Sequence, residues 1–359
     1  MRSVGRVRRG QSHVLMEALR SCRFKWLGKQ LAKYLSIQYA GRCLDGRACA
    51  GPLMGGLVVL NRCNSRCPMC DIPMRPEQVL TTAQMKALID QFMELGTSGL
   101  GFTGGEPLLR HDIFELIQYA RGYGIPVTLN TNGILLDPGN VECLLEAEPT
   151  NVNISLDGAF AQTHDRLRGG PFFEKTIDAI SRLSSAASRR NSKTVVTVVT
   201  VISEENVGEL QETARLVKTL GAHRWGVMPL HNTHHGTECR PLASEKLRGL
   251  SRWLMEIQEV VVDNSASYLR ALESAWAGEP FPHRCNAGYT SLFVDSNLQV
   301  YPCLGYYMMG RSVYKLGSET MTLRQLWYSE LYRSVRNETL TCRQCYLNCQ
   351  SELSYLVPI

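Results

Sequence analysis

Two hydrophobic periods alternate along this chain. From Gly55 onward, short β-rich runs are followed by stretches with an apolar residue at every third or fourth position, the pattern of consecutive βα units. Residues 57–61 read as a strand and 82–95 as a helix, with Met85, Leu88, Ile89 and Phe92 on one face, Thr81 or Thr82 as its cap and Gly96 at its end. The alternation continues through strands at 100–103, 127–130 and 152–156 and helices at 113–123, 141–145 and 173–183. Residues 193–202 are rich in β-branched side chains and lack Pro and Gly, which fits a strand buried on both faces. A helix at 205–220 and a sixth strand at 225–230 complete the series. Six units are too few for a closed eight-unit barrel, so the predicted fold class is α/β, a partial (β/α)6 TIM-like barrel.

Beyond the polar stretch at 231–237, the pattern predicts helices at 243–262 and 268–276, then strands at 290–295 and 298–301 joined at Ser296-Asn297 as a hairpin. A further helix at 323–335 precedes a cysteine-rich end. The chain therefore divides into a basic helical arm (1–54), the partial barrel (55–235), a helical connector (236–284) and a small cysteine-rich C-terminal domain (285–359) with a β element of its own.

Of 359 residues, 44% are apolar and 20% charged, an ordinary globular balance that excludes whole-chain disorder. The longest apolar runs, such as 195–202, fall short of the roughly 18 residues of a spanning helix. The net charge of +6 is concentrated at the start: residues 1–33 hold nine Arg and Lys against Glu17, which leaves the remainder at −2. A nearly neutral body argues against nucleic acid as a partner. The arm reads in two ways. Phe24, Leu27, Leu31, Tyr34 and Leu35 recur at helical spacing beside Lys25, Lys29 and Lys33, which suits an interfacial helix on the inner face of a membrane. The same stripe suits packing on the main domain with the lysines in water.

Thirteen cysteines cannot all pair, and no apolar leader segment precedes them, so a reducing, cytoplasmic setting is expected. There, clustered cysteines read as metal ligands. Cys63-x3-Cys67-x2-Cys70 follows the first strand, at the barrel mouth where βα loops build active sites. Three thiolates leave one iron of a 4Fe-4S cluster open to another ligand, whereas zinc takes four closed ligands and finds no fourth in this loop.

Together with Gly104-Gly105-Glu106-Pro107 after the second strand, this loop resembles the radical S-adenosylmethionine (SAM) superfamily, over about residues 55–230. The resemblance implies a SAM-binding 4Fe-4S cluster on Cys63, Cys67 and Cys70. One-electron reduction by a flavodoxin- or ferredoxin-type partner would then cleave SAM to methionine and a 5′-deoxyadenosyl radical that abstracts a substrate hydrogen. It also implies that Gly104, Gly105 and Glu106 receive the methionine amino group, and that Asn130, Ser155, Asp157 and Arg168 lie toward the SAM ribose and carboxylate. Asp157 reads equally as a turn residue capping Gly158, and Arg168 as a surface cation. Met69 stands where many members place an aromatic residue, and its polarisable side chain suits adenine.

Cys285, Cys303, Cys342 and Cys345 resemble the twitch or shortened SPASM module of that superfamily, which implies a second, auxiliary 4Fe-4S cluster with Cys349 as an alternate ligand. The pair at 342 and 345 also suits zinc. His231 and His234, after the sixth strand, are candidates for a catalytic base; they read also as part of a solvated loop. The expected activity is that of a radical SAM oxidoreductase on a small natural-product or lipid-like substrate, because only about 54 residues precede the barrel, fewer than the roughly 80–90 of a leader-peptide-binding domain. A ribosomal-peptide maturase that cross-links, epimerises or decarboxylates is the alternative. A non-catalytic iron–sulfur or zinc protein is the rival from another class.

Overall fold

The computed structural model describes residues 24–230, 249–257, 260–277, 279–317, 320–343 and 346–357. After an initial helix α1 (Phe24–Cys43), all six expected βα strands are present: β1 (Met54–Val58), β2 (Gly99–Thr103), β3 (Val127–Thr131), β4 (Asn151–Ser155), β5 (Val195–Ile202) and β6 (Arg224–Pro229). Each pairs in parallel with the next. Helices α2 (Thr82–Glu94), α3 (Ile113–Gly122), α4 (Pro138–Glu146), α5 (Ala161–Arg168), α6 (Phe173–Arg189) and α7 (Leu210–Thr219) carry the crossovers. Local chemistry sets their starts. Thr81 and Gln84 form a reciprocal capping box on α2, and Asp137 caps α4 with Pro138 in the first turn. β5 is buried despite its threonines, because Thr197 donates to Asn151 Oδ1 (2.9 Å) and Thr200 to the Leu156 carbonyl (2.7 Å).

β1 starts at Met54 rather than 57, because Gly55 and Gly56 belong to the strand and do not end a linker. A Cβ on Gly56 would lie 2.1 Å from the Phe293 ring, so glycine is what lets that ring pack across the strand. Helix α5 is an addition: its residues are polar on most sides and bury only Thr163, His164 and Leu167, too thin a stripe to show in the pattern. Of the helix expected at 243–262, the described part is helical only over α8 (Leu250–Glu256). Val261 and Asp263 instead bond to the Trp225 backbone and run beside β6. α9 (Ala266–Trp276) and α10 (Ala287–Thr290) follow.

The C-terminal hairpin is where the expectation of a separate β element fails. β7 (Ser291–Asp295) and β8 (Gln299–Tyr301) do pair antiparallel, but β7 also pairs in parallel with β1 over five positions, from Met54↔Ser291 to Val58↔Asp295. With β9 (Tyr314–Lys315) beside β8, one sheet runs β6-β5-β4-β3-β2-β1-β7-β8-β9 among the described residues. All five residues of β7 are buried, which a strand achieves only with neighbours on both sides. α11 (Leu304–Met308) follows β8, and the helix expected at 323–335 is two, α12 (Leu323–Trp327) and α13 (Glu330–Thr341), because the Ser329 hydroxyl caps the second. α14 (Asn348–Leu356) ends the described chain.

α1 docks beneath this sheet. Lys33 donates to the Pro52 and Gly96 carbonyls (2.7 and 2.5 Å) and to Ser98 (2.8 Å), all just before β1 or β2 and thus opposite the barrel mouth. Ile37 and Ala40 pack with Tyr289 and Val357, and Tyr34 joins them at the margin. Leu31, Leu35 and Tyr39 face outward, 54–60% exposed, so the expected stripe splits between two faces. Among the described residues, no helix is long and apolar enough to cross a membrane.

Candidate functional site

The loop leaving β1 is shaped by Glu77, which accepts from the Asn61 amide (2.5 Å) and pairs with Arg62 (2.8 Å). Cys63, Cys67 and Cys70 follow on this loop, none of them in a disulfide. The Cys70 amide donates to the Cys67 carbonyl (3.0 Å), Ser65 Oγ lies 3.3 Å from Cys67 Sγ, and Asn132 Nδ2 reaches both Asn64 Oδ1 (2.7 Å) and Cys63 Sγ (3.7 Å). Burial pushes the Cys70 thiol up to about 11 and raises that of Cys63, with the neighbouring thiols adding to the effect. As bare thiols these two stay protonated near neutrality; a bound metal centre is what makes thiolates of them.

The second motif is built onto this loop. The Gly105 amide donates to the Leu60 carbonyl and the Glu106 amide to the Arg62 carbonyl, both at 2.9 Å. A Cβ on Gly104 (φ +140°) or Gly105 would lie 2.2 or 2.0 Å from those same carbonyls, so the glycines serve the approach of loop to loop. Glu106 is fully buried; it accepts from Thr131 Oγ1 (2.7 Å), the Asn132 amide (2.7 Å) and the Leu108 amide (3.0 Å). Burial raises its carboxyl, while these donors and Arg168 act against that rise.

On β3 and β4 the inward residues form a polar ladder. Asn153 donates to Asn130 Oδ1 (2.8 Å), Asn151 to Asn153 (2.6 Å), and Asn130 reaches the Phe102 carbonyl (3.4 Å). Ser155 shares this half-exposed face, while Val152 and Ile154 point into the helical layer. Asp157 is not a cap for Gly158. Its carboxylate is fully buried, accepts from the Val201 amide (2.8 Å) and pairs with Arg168 at 2.6 Å. Arg168 is likewise no surface cation: burial works against its charge, and Asp157 and then Cys67 sustain it. The Asp157 amide donates to His164 Nδ1 (3.2 Å), and burial lowers that imidazole to about 3. Met69 is buried with Leu167, against Cys67 and Leu230. His231, His234 and Cys345 lie outside the described residues.

Cys285 and Cys303 are buried and Cys342 is half-buried, and all three line one cavity of about 970 Å³. Tyr301, Tyr306 and Tyr307 share its wall, and Asn61, Asp71 and Arg75 reach it from the first cysteine loop. Cys349, on α14, is exposed and does not line that cavity. The sequence reads Asn130-Thr131-Asn132 only as a polar end of the third strand and Tyr307 as packing, and gives no sign of Asn153 or Arg75; all gain their roles from partners distant in the chain.

A family model described as the radical SAM superfamily matches residues 57–217, and an iron–sulfur cluster-binding (SPASM) domain matches 285–346. The AdoMet-dependent heme synthase of Methanosarcina barkeri is 30% identical over 297 residues, which covers 77% of this chain and 82% of the relative. The mycofactocin maturase MftC of Mycobacterium tuberculosis is 30% identical over 248 residues, 67% of this chain and 61% of the relative. In fold, SuiB of Streptococcus suis bound to the precursor peptide SuiA superposes with a TM-score of 0.65 at 17% identity, over 89% of this chain and 72% of that one.

The donor sets fit the groups these matches imply. Three cysteines on one loop, and three more around one cavity, are soft ligands for iron–sulfur clusters. Arg168 Nε and Asn64 Nδ2 are buried donors with no hydrogen-bond partner among the described residues, beside the first cysteine loop, where an anionic cluster or a SAM carboxylate would satisfy them.

Proposed function

Since this chain belongs to the radical SAM superfamily and carries a C-terminal SPASM iron–sulfur domain, we propose that it oxidises or rearranges a small natural-product or lipid-like molecule by hydrogen abstraction at the barrel mouth. The observation that carries this reading is one cavity lined both by Cys285, Cys303 and Cys342 and by Asn61, Asp71 and Arg75, which flank the Cys63–Cys70 loop. When bound, the first cluster would supply one-electron reduction of SAM, and the auxiliary cluster an electron acceptor or a substrate anchor.

The chain's own residues position and exclude. Cys63, Cys67 and Cys70 would hold the first cluster, and Cys285, Cys303 and Cys342, with Cys345, would hold the second. Glu106, fixed by three donors and buried from water, offers its remaining acceptor capacity to the methionine ammonium. Arg168, locked by Asp157, presents its free Nε toward the carboxylate end. The amide ladder of Asn130 and Asn153, with Ser155, provides donors and acceptors for ribose hydroxyls.

A small-molecule substrate is favoured because the similarity to the heme synthase covers more of that relative than the similarity to the maturase does. A peptide substrate is the second reading, favoured by the likeness to MftC and to the PqqA peptide cyclase of Gluconobacter oxydans, 32% identical over 179 residues. The reductant is read as a flavodoxin or ferredoxin. The outward face of α1 and the basic residues 1–23 together suit an anionic membrane surface. Anaerobic enzyme with SAM and dithionite, offered haem precursors or short peptides, tests the substrate class. Stimulated 5′-deoxyadenosine release with the former supports the reading; stimulation by peptides alone replaces it with the second.

A further inference from the structure

Arg75 lies five residues beyond Cys70, yet its guanidinium is spent on the other cysteine set. It donates to the Tyr307 carbonyl (2.5 Å) and the Met308 carbonyl (2.6 Å), is held by Asp71 (3.0 Å), and lies over the Tyr307 ring, 4.8 Å from its centroid. Those carbonyls end α11, whose N-cap is Cys303; the Cys303 sulfur accepts from the Tyr306 amide at 3.4 Å. The Gly310 amide already donates to the Tyr307 carbonyl (3.0 Å), and a cation at the C-terminal end of the helix takes up the acceptor capacity that remains there. Tyr307 closes the link from the far side, donating to Asn61 Oδ1 (2.9 Å) two residues before Cys63. The same segment also holds the hairpin turn, since Asn297 donates to the Pro76 carbonyl and accepts from the Gln78 amide, both at 2.9 Å.

We propose that Arg75, with Tyr307, is a positioning clamp through which the SAM-cluster loop fixes the Cys303 segment and so sets the geometry of the auxiliary cluster relative to the first. It rests on the reading that Cys303 ligates that cluster. A guanidinium is required rather than an ammonium: two carbonyls and a carboxylate are met at once by a planar fork of donors, which a single-point lysine cannot reproduce. The helix is short, so release of its C-terminal end swings the sulfur at its start. The clamp acts on Cys303 through backbone and touches neither cluster nor substrate.

The test uses Arg75→Met, Arg75→Lys and Tyr307→Phe in the full chain, with Arg215→Met on exposed α7 as control. In iron-free protein, alkylation of Cys303 by iodoacetamide, followed by peptide mass spectrometry, is expected to quicken about tenfold in Arg75→Met, less in Arg75→Lys and Tyr307→Phe, and not in the control. In reconstituted protein, the electron paramagnetic resonance signal and midpoint potential of the auxiliary cluster should shift in the same order, while 5′-deoxyadenosine formation without substrate stays within about twofold of wild type, because the SAM site is untouched. Should Arg75→Met fail to fold, the two milder variants carry the same ordering. Unchanged Cys303 reactivity together with an unchanged auxiliary signal in all three variants overturns the clamp. A Cys303→Ala variant that keeps every iron of the wild type overturns the ligand reading beneath it, and is told apart because wild-type alkylation of iron-free Cys303 would still respond to Arg75.

Discussion

Glu106 binds nothing by accident of exposure: it is buried, its carboxyl is raised by that burial, and three donors hold it ready. Glu106→Gln turns an acceptor into a donor facing donors, so SAM-dependent 5′-deoxyadenosine release should fall roughly 100-fold with iron content intact. Unchanged SAM affinity and turnover would contradict the assigned role. Gly105→Ala places a methyl on the Arg62 carbonyl and should cost about 3 kcal/mol or more in urea unfolding, with poor cluster retention. His164 gives a pH signature. Its folded-state value is depressed to about 3 from 6.5, so its contribution to stability is complete above 6.5 and is lost as pH falls from there toward 3. The slope is at most about 1.4 kcal/mol per pH unit, and His164→Asn should flatten it in thermal melts of iron-free protein. The cysteines and Gly-Gly-Glu were legible because their chemistry fixes residue types at short spacing. Asp157 and Arg168 stayed open between two readings because only tertiary packing buries them, and Asn132 was legible only as part of a polar strand end because its partners Asn64 and Cys63 lie more than 60 residues away.

At the scale of elements, strands and helices with strong apolar faces read directly, as with α2 and β5. What local pattern missed is what neighbours decide. α5 is held by Leu167 packing on Met69 and by Asp157 contacting its start through His164. Two glycines read as a boundary lie inside β1 because Phe92 and Leu100 pack against Gly55 and Phe293 against Gly56. The hairpin has the right strands but gained a partner, β1, from the other end of the chain. For α1 the expectation is functional. Leu31, Leu35 and Tyr39 project from the face opposite Ile37 and Ala40, beside exposed Lys29 and Arg42. Binding to phosphatidylglycerol vesicles should be salt-sensitive and should weaken roughly tenfold in Leu31→Ser/Leu35→Ser, since each loses about 2 kcal/mol or less of apolar transfer. Equal binding by the double variant would reject the membrane contact. Because α1 sits at the opposite end from the mouth, such binding would leave the mouth open to a water-borne reductant.

Among the described residues one sheet carries both cysteine sets: the Cys63–Cys70 loop leaves β1 at its carboxyl end, while Cys303 follows antiparallel β8 at the opposite end of the strands, and α11 runs from it back to Asn61 through Tyr307. Continuity of the sheet is what fixes one set against the other, and the strap at 71–78 reinforces it. The account therefore stands on two clusters in one rigid frame. Iron and sulfide content with Mössbauer spectra, on anaerobically reconstituted wild type beside a Cys63/Cys67/Cys70→Ala triple variant, tests that claim most directly. The prediction is about eight irons per chain in the wild type and about four in the variant, with the variant unable to cleave SAM. About four irons in the wild type and none in the variant would contradict it, and would remove the auxiliary cluster from the mechanism.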